Sequence, residues 1–265
     1  MKRWFRCTAF RNHGWRSGKV VLVGLLVLLI AMTGCAGRKR GRQVSWPGLT
    51  LVGDVVYAAN LEQLQAFDAE SGDVLWSYPQ EPDPQIGFYA APVIDDAANL
   101  LLAAGFNSRI VYALRLGETP EQQPALLWTF EEAKGQYVGS GVIYEDLFLI
   151  GNGDGQLYAL ALESGELAWT FDMPTDRIWA KPVVVNDTVY VASLDQNLYA
   201  VAPSDGTLIW QQPLNGAIAG TPVVVGDALW VGDFGNRFYQ IDRATGDVLW
   251  SYEGQDWFWS SPVVQ

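Results

Sequence analysis

The sequence predicts an all-β protein: a β-propeller of four-stranded antiparallel blades, with five complete repeats and the first strand of a sixth, as in an incomplete ring of roughly seven or eight blades. Three observations carry this. AFDAESGDVLW at residues 66–76 returns as ALALESGELAW, AVAPSDGTLIW and QIDRATGDVLW, and more loosely as ALRLGETPEQQPALLW. The closing tryptophans, Trp76, Trp128, Trp169, Trp210 and Trp250, are 52, 41, 41 and 40 residues apart. A second phrase runs in phase: APVIDDAANLLLAAG, GSGVIYEDLFLIGNG, KPVVVNDTVYVASLD and TPVVVGDALWVGDFG. Short runs rich in β-branched and aromatic residues alternate with turn residues throughout, and no helical period is sustained.

The elements before the repeats are of a different kind. MKRWFRCTAFRNHGWRSGK carries six Lys and Arg and no acid, and the 13-residue apolar run VVLVGLLVLLIAM follows. That run is shorter than the roughly 18–20 residues a spanning helix needs and has the length of a secretory signal core. Met32-Thr33-Gly34-Cys35 resembles a bacterial lipobox. The resemblance implies cleavage before Cys35, lipid on its sulfur and a mature chain beginning CAGRKRGRQ; an uncleaved signal anchor is the alternative. The chain then divides into a signal peptide (1–34), a basic membrane-proximal linker (35–46) and a propeller (47–265), truncated at its C-terminus.

Within each repeat the strands are separated by turn residues. In TPVVVGDALWVGDFGNRFYQIDRATGDVLWSY they are PVVV, ALWVG, RFYQI and VLWSY, with hairpin breaks at GD, DFGN and ATGD. Gly72, Gly165, Gly206 and Gly246 stand where such a hairpin needs positive φ. Asp68 and Asp242 are placed to cap that turn. Ala66, Ala159 and Ala200 are small enough for close approach of the next blade, and each closing Trp is placed flat between blades. The 52-residue step comes from extra residues in LGETPEQQP and near PQEPDPQ, both of loop composition. After Trp250 a further repeat starts at WSSPVVQ and goes no further.

The A-x-D-x-x-[ST]-G-x-x-x-W phrase resembles the tryptophan-docking motif of the PQQ-like β-propeller repeat family, which includes quinoprotein dehydrogenases and BamB-like outer-membrane assembly lipoproteins. The resemblance covers residues from about 45 onward and is specific for the fold, not for an activity. Applied to BamB-like members, it implies a protein-binding scaffold in the bacterial envelope, on the extracytoplasmic side, and at the outer membrane where the host has one. Applied to the dehydrogenases, it implies a quinone held against a disulfide of adjacent cysteines beside calcium. Cys7 and Cys35 cannot supply that disulfide.

The residue inventory narrows the chemistry. The single histidine, His13, lies in the segment expected to be removed, and neither cysteine lies in the repeats. Histidine- or thiolate-based catalysis and metal binding in the propeller are therefore excluded. GNGDGQ at 151–156 and Asn186-Asp187-Thr188 match hairpin turns of neighbouring repeats, which accounts for their likeness to a phosphate loop and a glycosylation acceptor. Residues 1–42 hold ten of 17 basic residues and no acid, leaving seven basic against 29 acidic residues in the remainder, a net of −22. An acidic body of that kind is not a nucleic-acid binder, while RKRGR beside the lipid site suits anionic headgroups.

The candidate partner or ligand face is the set of aromatic loops ahead of each repeat's proline, QIGFYAAP, TDRIWAKP and QDWFWSSP, with Tyr89, Arg177, Trp179, Lys181, Trp257 and Trp259. Inter-blade packing is the competing use of those rings. The expectation is a non-enzymatic, lipid-anchored scaffold with no cofactor and no metal, bound to membrane lipid and to another envelope protein. A fragment of a PQQ-dependent dehydrogenase and a cell-surface ligand-binding propeller are the alternatives.

Overall fold

Five four-stranded antiparallel sheets follow one another along the chain, each with its strands in sequence order. The computed structural model describes residues 48–263; the signal-like segment, the lipobox with Cys35, the whole basic linker and Val264–Gln265 lie outside them. Blade 1 contains β1 (Leu49–Val52), β2 (Val55–Asn60), β3 (Gln63–Asp68) and β4 (Val74–Tyr78). Blade 2 contains β5 (Val93–Asp95), β6 (Leu100–Ala104), β7 (Val111–Arg115) and β8 (Ala125–Phe130). Blade 3 runs from β9 (Val142–Tyr144) through β10 (Leu147–Gly151) and β11 (Leu157–Ala161) to β12 (Leu167–Phe171). Blade 4 has β13 (Val183–Val185), β14 (Thr188–Ala192), β15 (Asn197–Val201) and β16 (Leu208–Pro213). Blade 5 has β17 (Val223–Val225), β18 (Ala228–Gly232), β19 (Arg237–Asp242) and β20 (Val248–Glu253).

Burial explains the composition of each strand. In the interior blades the second and third strands are covered on both faces, so β6 and β7 read LLLAA and VYALR, almost unbroken apolar runs, whereas β3 and β19 of the terminal blades alternate. The fourth strands keep one face outward, and in β8 only Trp128 and Phe130 are buried. The hydrophobic core is split accordingly. One buried cluster lies between each pair of consecutive blades: Leu64, Trp76, Leu101 and Leu114 between blades 1 and 2; Leu102, Trp128, Ile150 and Leu160 between blades 2 and 3. Leu149, Phe171, Val191 and Tyr199 fill the next junction, and Tyr190, Leu198, Leu229 and Ile241 the last.

The repeated small residue, buried in the clusters between blades, also has a task within its own sheet. Ala66, Ala113, Ala159 and Ala200 sit directly across from Trp76, Trp128, Trp169 and Trp210, and the ladder shifts register immediately after each pair. Such a bulge raises the local twist of the sheet. The turn chemistry is as the residues require: Gly165 has φ +73°, and Asp242 Oδ1 accepts from the backbone N–H groups of Ala244 and Thr245 at 2.9 and 3.0 Å. Those bonds, foremost the one from Thr245, hold the Asp242 carboxyl below the usual carboxylate range.

Hydroxyls of the inner strands link successive blades. Thr50 Oγ1 donates to Pro92 O and Ser140 Oγ to Ala91 O, while Lys181 N–H donates to Thr221 Oγ1 and Thr221 N–H to Ser261 Oγ. The strand expected to open a sixth repeat is not formed at residues 261–263; no strand among the described residues pairs with them, and a ladder needs two strands.

Candidate functional site

At one end of the blades, each connecting segment acts as a strap between two turns. Ile178 N–H donates to Asn152 O of the β10–β11 turn at 3.0 Å, and Arg177 O accepts from Leu194 N–H of the β14–β15 turn at 2.9 Å. The next strap repeats this, with Ile218 N–H on Ser193 O and Phe234 N–H on Ala217 O. The turn heads Asn152, Ser193 and Asp233 are fully buried, and each is hydrogen-bonded.

A strap is extended, so alternate side chains point opposite ways. Phe88, Tyr137, Ile178 and Ile218 are buried anchors; their sequence neighbours are turned outward. That alternation places the candidate residues. Arg177 and Trp179 flank Ile178, and the Arg177 guanidinium lies 5.9 Å from the centre of the Trp179 ring. Trp257 and Trp259 flank Phe258 and are 52% and 60% exposed. Tyr89 follows Phe88 and packs edge-on against Phe106, with ring centres 5.3 Å apart. Lys181 is exposed and half a strap further on.

The structure brings two of these residues together and adds a third. Phe234, on the β18–β19 turn, lies 5.3 Å from Trp257 and 4.4 Å from Trp259, and the two tryptophans are 5.6 Å apart, measured between ring centres. Tyr89 packs on Phe106 of the β6–β7 turn, and Arg177 keeps its partner Trp179 within its own strap. Sequence reasoning misses Phe234 because DFGN has the composition of a turn and nothing more. The available signal is its place in the repeat, where the neighbouring turns carry Gly153 and Leu194.

Polar groups under the straps are committed to holding the turns. Tyr158 donates to Asp154 Oδ2 and Tyr199 to Asp195 Oδ2, both at 2.7 Å, and Tyr239 donates to Asp233 Oδ2 at 2.9 Å. Burial, then the hydrogen bond to the carboxylate, pushes the Tyr158 and Tyr199 hydroxyls far up. Burial likewise raises Tyr239 to about 12. Asp154 and Asp195 also accept from Lys134 N–H and Thr175 N–H. Among the described residues no group of three or more His, Cys, Asp or Glu side chains is arranged to hold a metal ion, and no helix is long and apolar enough to cross a membrane.

The opposite end carries the junction tryptophans. An ideal Cβ on Gly165 would lie 2.5 Å from the Trp128 ring; on Gly206 it would lie 2.7 Å from Trp169, and on Gly246 2.8 Å from Trp210. Each interior Trp is therefore capped by the turn of the blade that follows. Burial is uneven: Trp76 and Trp128 are 5% and 8% exposed, Trp169 and Trp210 half-buried, and Trp250 46% exposed.

Comparison with known proteins agrees with this architecture. The family model described as outer membrane protein assembly factor BamB matches residues 153–261. The crystal structure of BamB from Moraxella catarrhalis is similar with a TM-score of 0.65 at 19% identity, over 77% of this chain and 63% of that one. The computationally designed Ika8 protein gives a TM-score of 0.71 at 14% identity, over 85% of this chain and 67% of its own. The WD40 β-propeller domain of Doa1 gives 0.62 at 18%, over 82% and 72%. The chain thus spans less than two thirds of the length of that BamB. No curated protein matches the sequence.

Proposed function

From a chain built of PQQ-like β-propeller repeats, we propose a non-enzymatic scaffold of the bacterial envelope that binds another envelope protein, in the manner of the BamB assembly factors it resembles. In this reading 1–34 is a signal peptide, lipid on Cys35 and the basic linker 35–46 hold the protein to the membrane, and the propeller stands on the extracytoplasmic side. In a host with an outer membrane, that membrane is its site. The observation that supports protein binding is the surface trio of half-buried Phe234 with exposed Trp257 and Trp259. Large aromatic side chains clustered at a surface are the usual energetic centre of protein interfaces. Arg177, Trp179, Lys181 and Tyr89 lie on other straps at the same end of the blades.

A photo-cross-linking residue at 257 or 259, introduced in living cells, is expected to give a discrete adduct with a membrane or envelope protein. The same residue at Leu126, which is 50% exposed on an outer strand, is expected to give none. Trp259→Ala should weaken binding of the partner so identified by about 2 kcal/mol or more, roughly thirtyfold. Equal adducts from both positions, or none from either, would remove the strap end as the binding face.

Anchoring has its own test. Cys35→Ser should leave an unprocessed precursor that incorporates no labelled fatty acid, and a wild-type chain equally free of label would end the lipoprotein assignment. The enzymatic alternative is checked by adding PQQ with calcium. Neither quinone binding nor dye-linked oxidation of alcohols or sugars is expected, and stoichiometric binding with turnover would move the protein to the dehydrogenases.

A further inference from the structure

Three junction tryptophans are clasped in the same way. Trp128, Trp169 and Trp210 donate their indole N–H to Leu162 O, Pro203 O and Arg243 O at 2.9, 3.0 and 3.1 Å. Each acceptor stands three residues ahead of the turn glycine that meets the ring. Trp76 is different. The corresponding carbonyl on blade 2 belongs to Leu116, identified by its N–H donating to Asn99 O as Leu162 N–H donates to Asp146 O and Arg243 N–H to Asp227 O. The extended turn LGETPEQQP begins at this residue, and Gln123 from that turn reaches across to donate to Ser77 O at 2.7 Å. The clasp is not made: Trp76 is 5% exposed, yet its N–H has no acceptor among the described residues and is not among the atoms sealed from solvent.

Trp76 borders a cleft of about 330 Å³, open on one side, at the junction of blades 1 and 2. Its rim carries Asp54, Asp96, Glu118 and Thr119, with Tyr57 beside the indole at 5.9 Å between ring centres. A volume near 300 Å³ is the lower end of small-molecule sites. A cleft of about 360 Å³ also lies at the clasped Trp210 junction; what the five-residue extension changes at the Trp76 cleft is that the indole N–H on its wall is left without a protein acceptor among the described residues and open to solvent.

We propose that this cleft binds a small polyhydroxylated ligand of monosaccharide size. The indole N–H requires an acceptor, and the carboxylates of Asp54, Asp96 and Glu118 require donors. A hydroxyl group serves as both, and several hydroxyls on one compact frame meet both demands together. An anionic ligand is repelled by the carboxylates. A simple alkylammonium ion satisfies the carboxylates and leaves the indole N–H empty. The site lies at the end of the blades opposite the aromatic straps, so it is independent of the protein-binding reading.

The test follows the indole itself. In ¹⁵N spectra of the full chain, kept in a detergent without a sugar headgroup, Trp76→Phe identifies the Trp76 indole signal. Titration with glucose and with N-acetylglucosamine is expected to shift that signal saturably for at least one of them. The half-point is expected around about 1 mM, the weak end of small-ligand affinity, and the Trp128 signal should stay in place. Asp96→Asn should raise the half-point roughly tenfold. No saturable shift with either sugar, an equal shift at Trp128, or an equal shift with butylamine would each overturn the proposal. If Trp76→Phe does not fold, calorimetric titration of wild type against Asp96→Asn distinguishes the same outcomes. Heat of binding lost in the variant supports the site, and no heat in the wild type removes it.

Discussion

Trp128→Ala is expected to lower folding stability by about 3–5 kcal/mol, the range for truncating a large buried aromatic. The indole is 8% exposed, packs in the cluster between blades 2 and 3, and donates its N–H to Leu162 O. Truncation opens a cavity against Gly165 and leaves that carbonyl without its donor. Trp169→Ala and Trp210→Ala should fall at the low end of the range, since both rings keep part of their surface in solvent while making the same hydrogen bond. Trp250→Ala should cost about 1 kcal/mol or less, because the ring is 46% exposed and no turn caps it among the described residues. Urea titrations of the four variants would check this order. A loss at Trp250 equal to that at Trp128 would show that something covers Trp250 in solution.

Gly165→Ala should be strongly destabilising, and Gly72→Ala is its control. Both glycines occupy the same turn of the repeat at nearly the same φ, +73° and +77°. A left-handed conformation costs any L-residue about 1–2 kcal/mol, and both variants incur it. At Gly72 the added carbon meets nothing within 4 Å, whereas at Gly165 it arrives 2.5 Å from the Trp128 ring. Forcing that ring aside adds about 1–3 kcal/mol of overpacking. Thermal or urea unfolding should therefore place Gly165→Ala about 2–5 kcal/mol below wild type and Gly72→Ala about 1–2 kcal/mol below. Equal losses would mean that the turn conformation alone explains the glycine.

The strand order and the turn glycines are legible in the sequence because they repeat: a position that recurs every 41 residues or so must serve the repeat and not one blade. The same reasoning fails where a residue breaks the repeat. Phe234 stands where the two preceding turns carry Gly153 and Leu194, although Phe106 holds the same place in blade 2, and only beside Trp257 and Trp259 does the ring complete a surface trio. The extension in LGETPEQQP is visible as extra residues, but its effect depends on where the Leu116 carbonyl ends up, a matter of three-dimensional position. Ser261–Val263 departs in the other direction. SSPVV has the letters of an inner strand, and strand formation depends on a partner as much as on letters.

The division of the apolar interior into four clusters, one per junction, has a consequence for how such a protein can change over generations. Each cluster draws on two adjacent blades only, so stability resembles a row of nearest-neighbour couplings. A lengthened hairpin in one blade is answered at a single seam, and the clasps at Trp128, Trp169 and Trp210 go on untouched. Duplication of one 41-residue unit adds one seam and leaves the others as they were. Inheritance can therefore try out a cleft at one junction and an aromatic cluster at another separately, each exposed to selection without the other being put at risk.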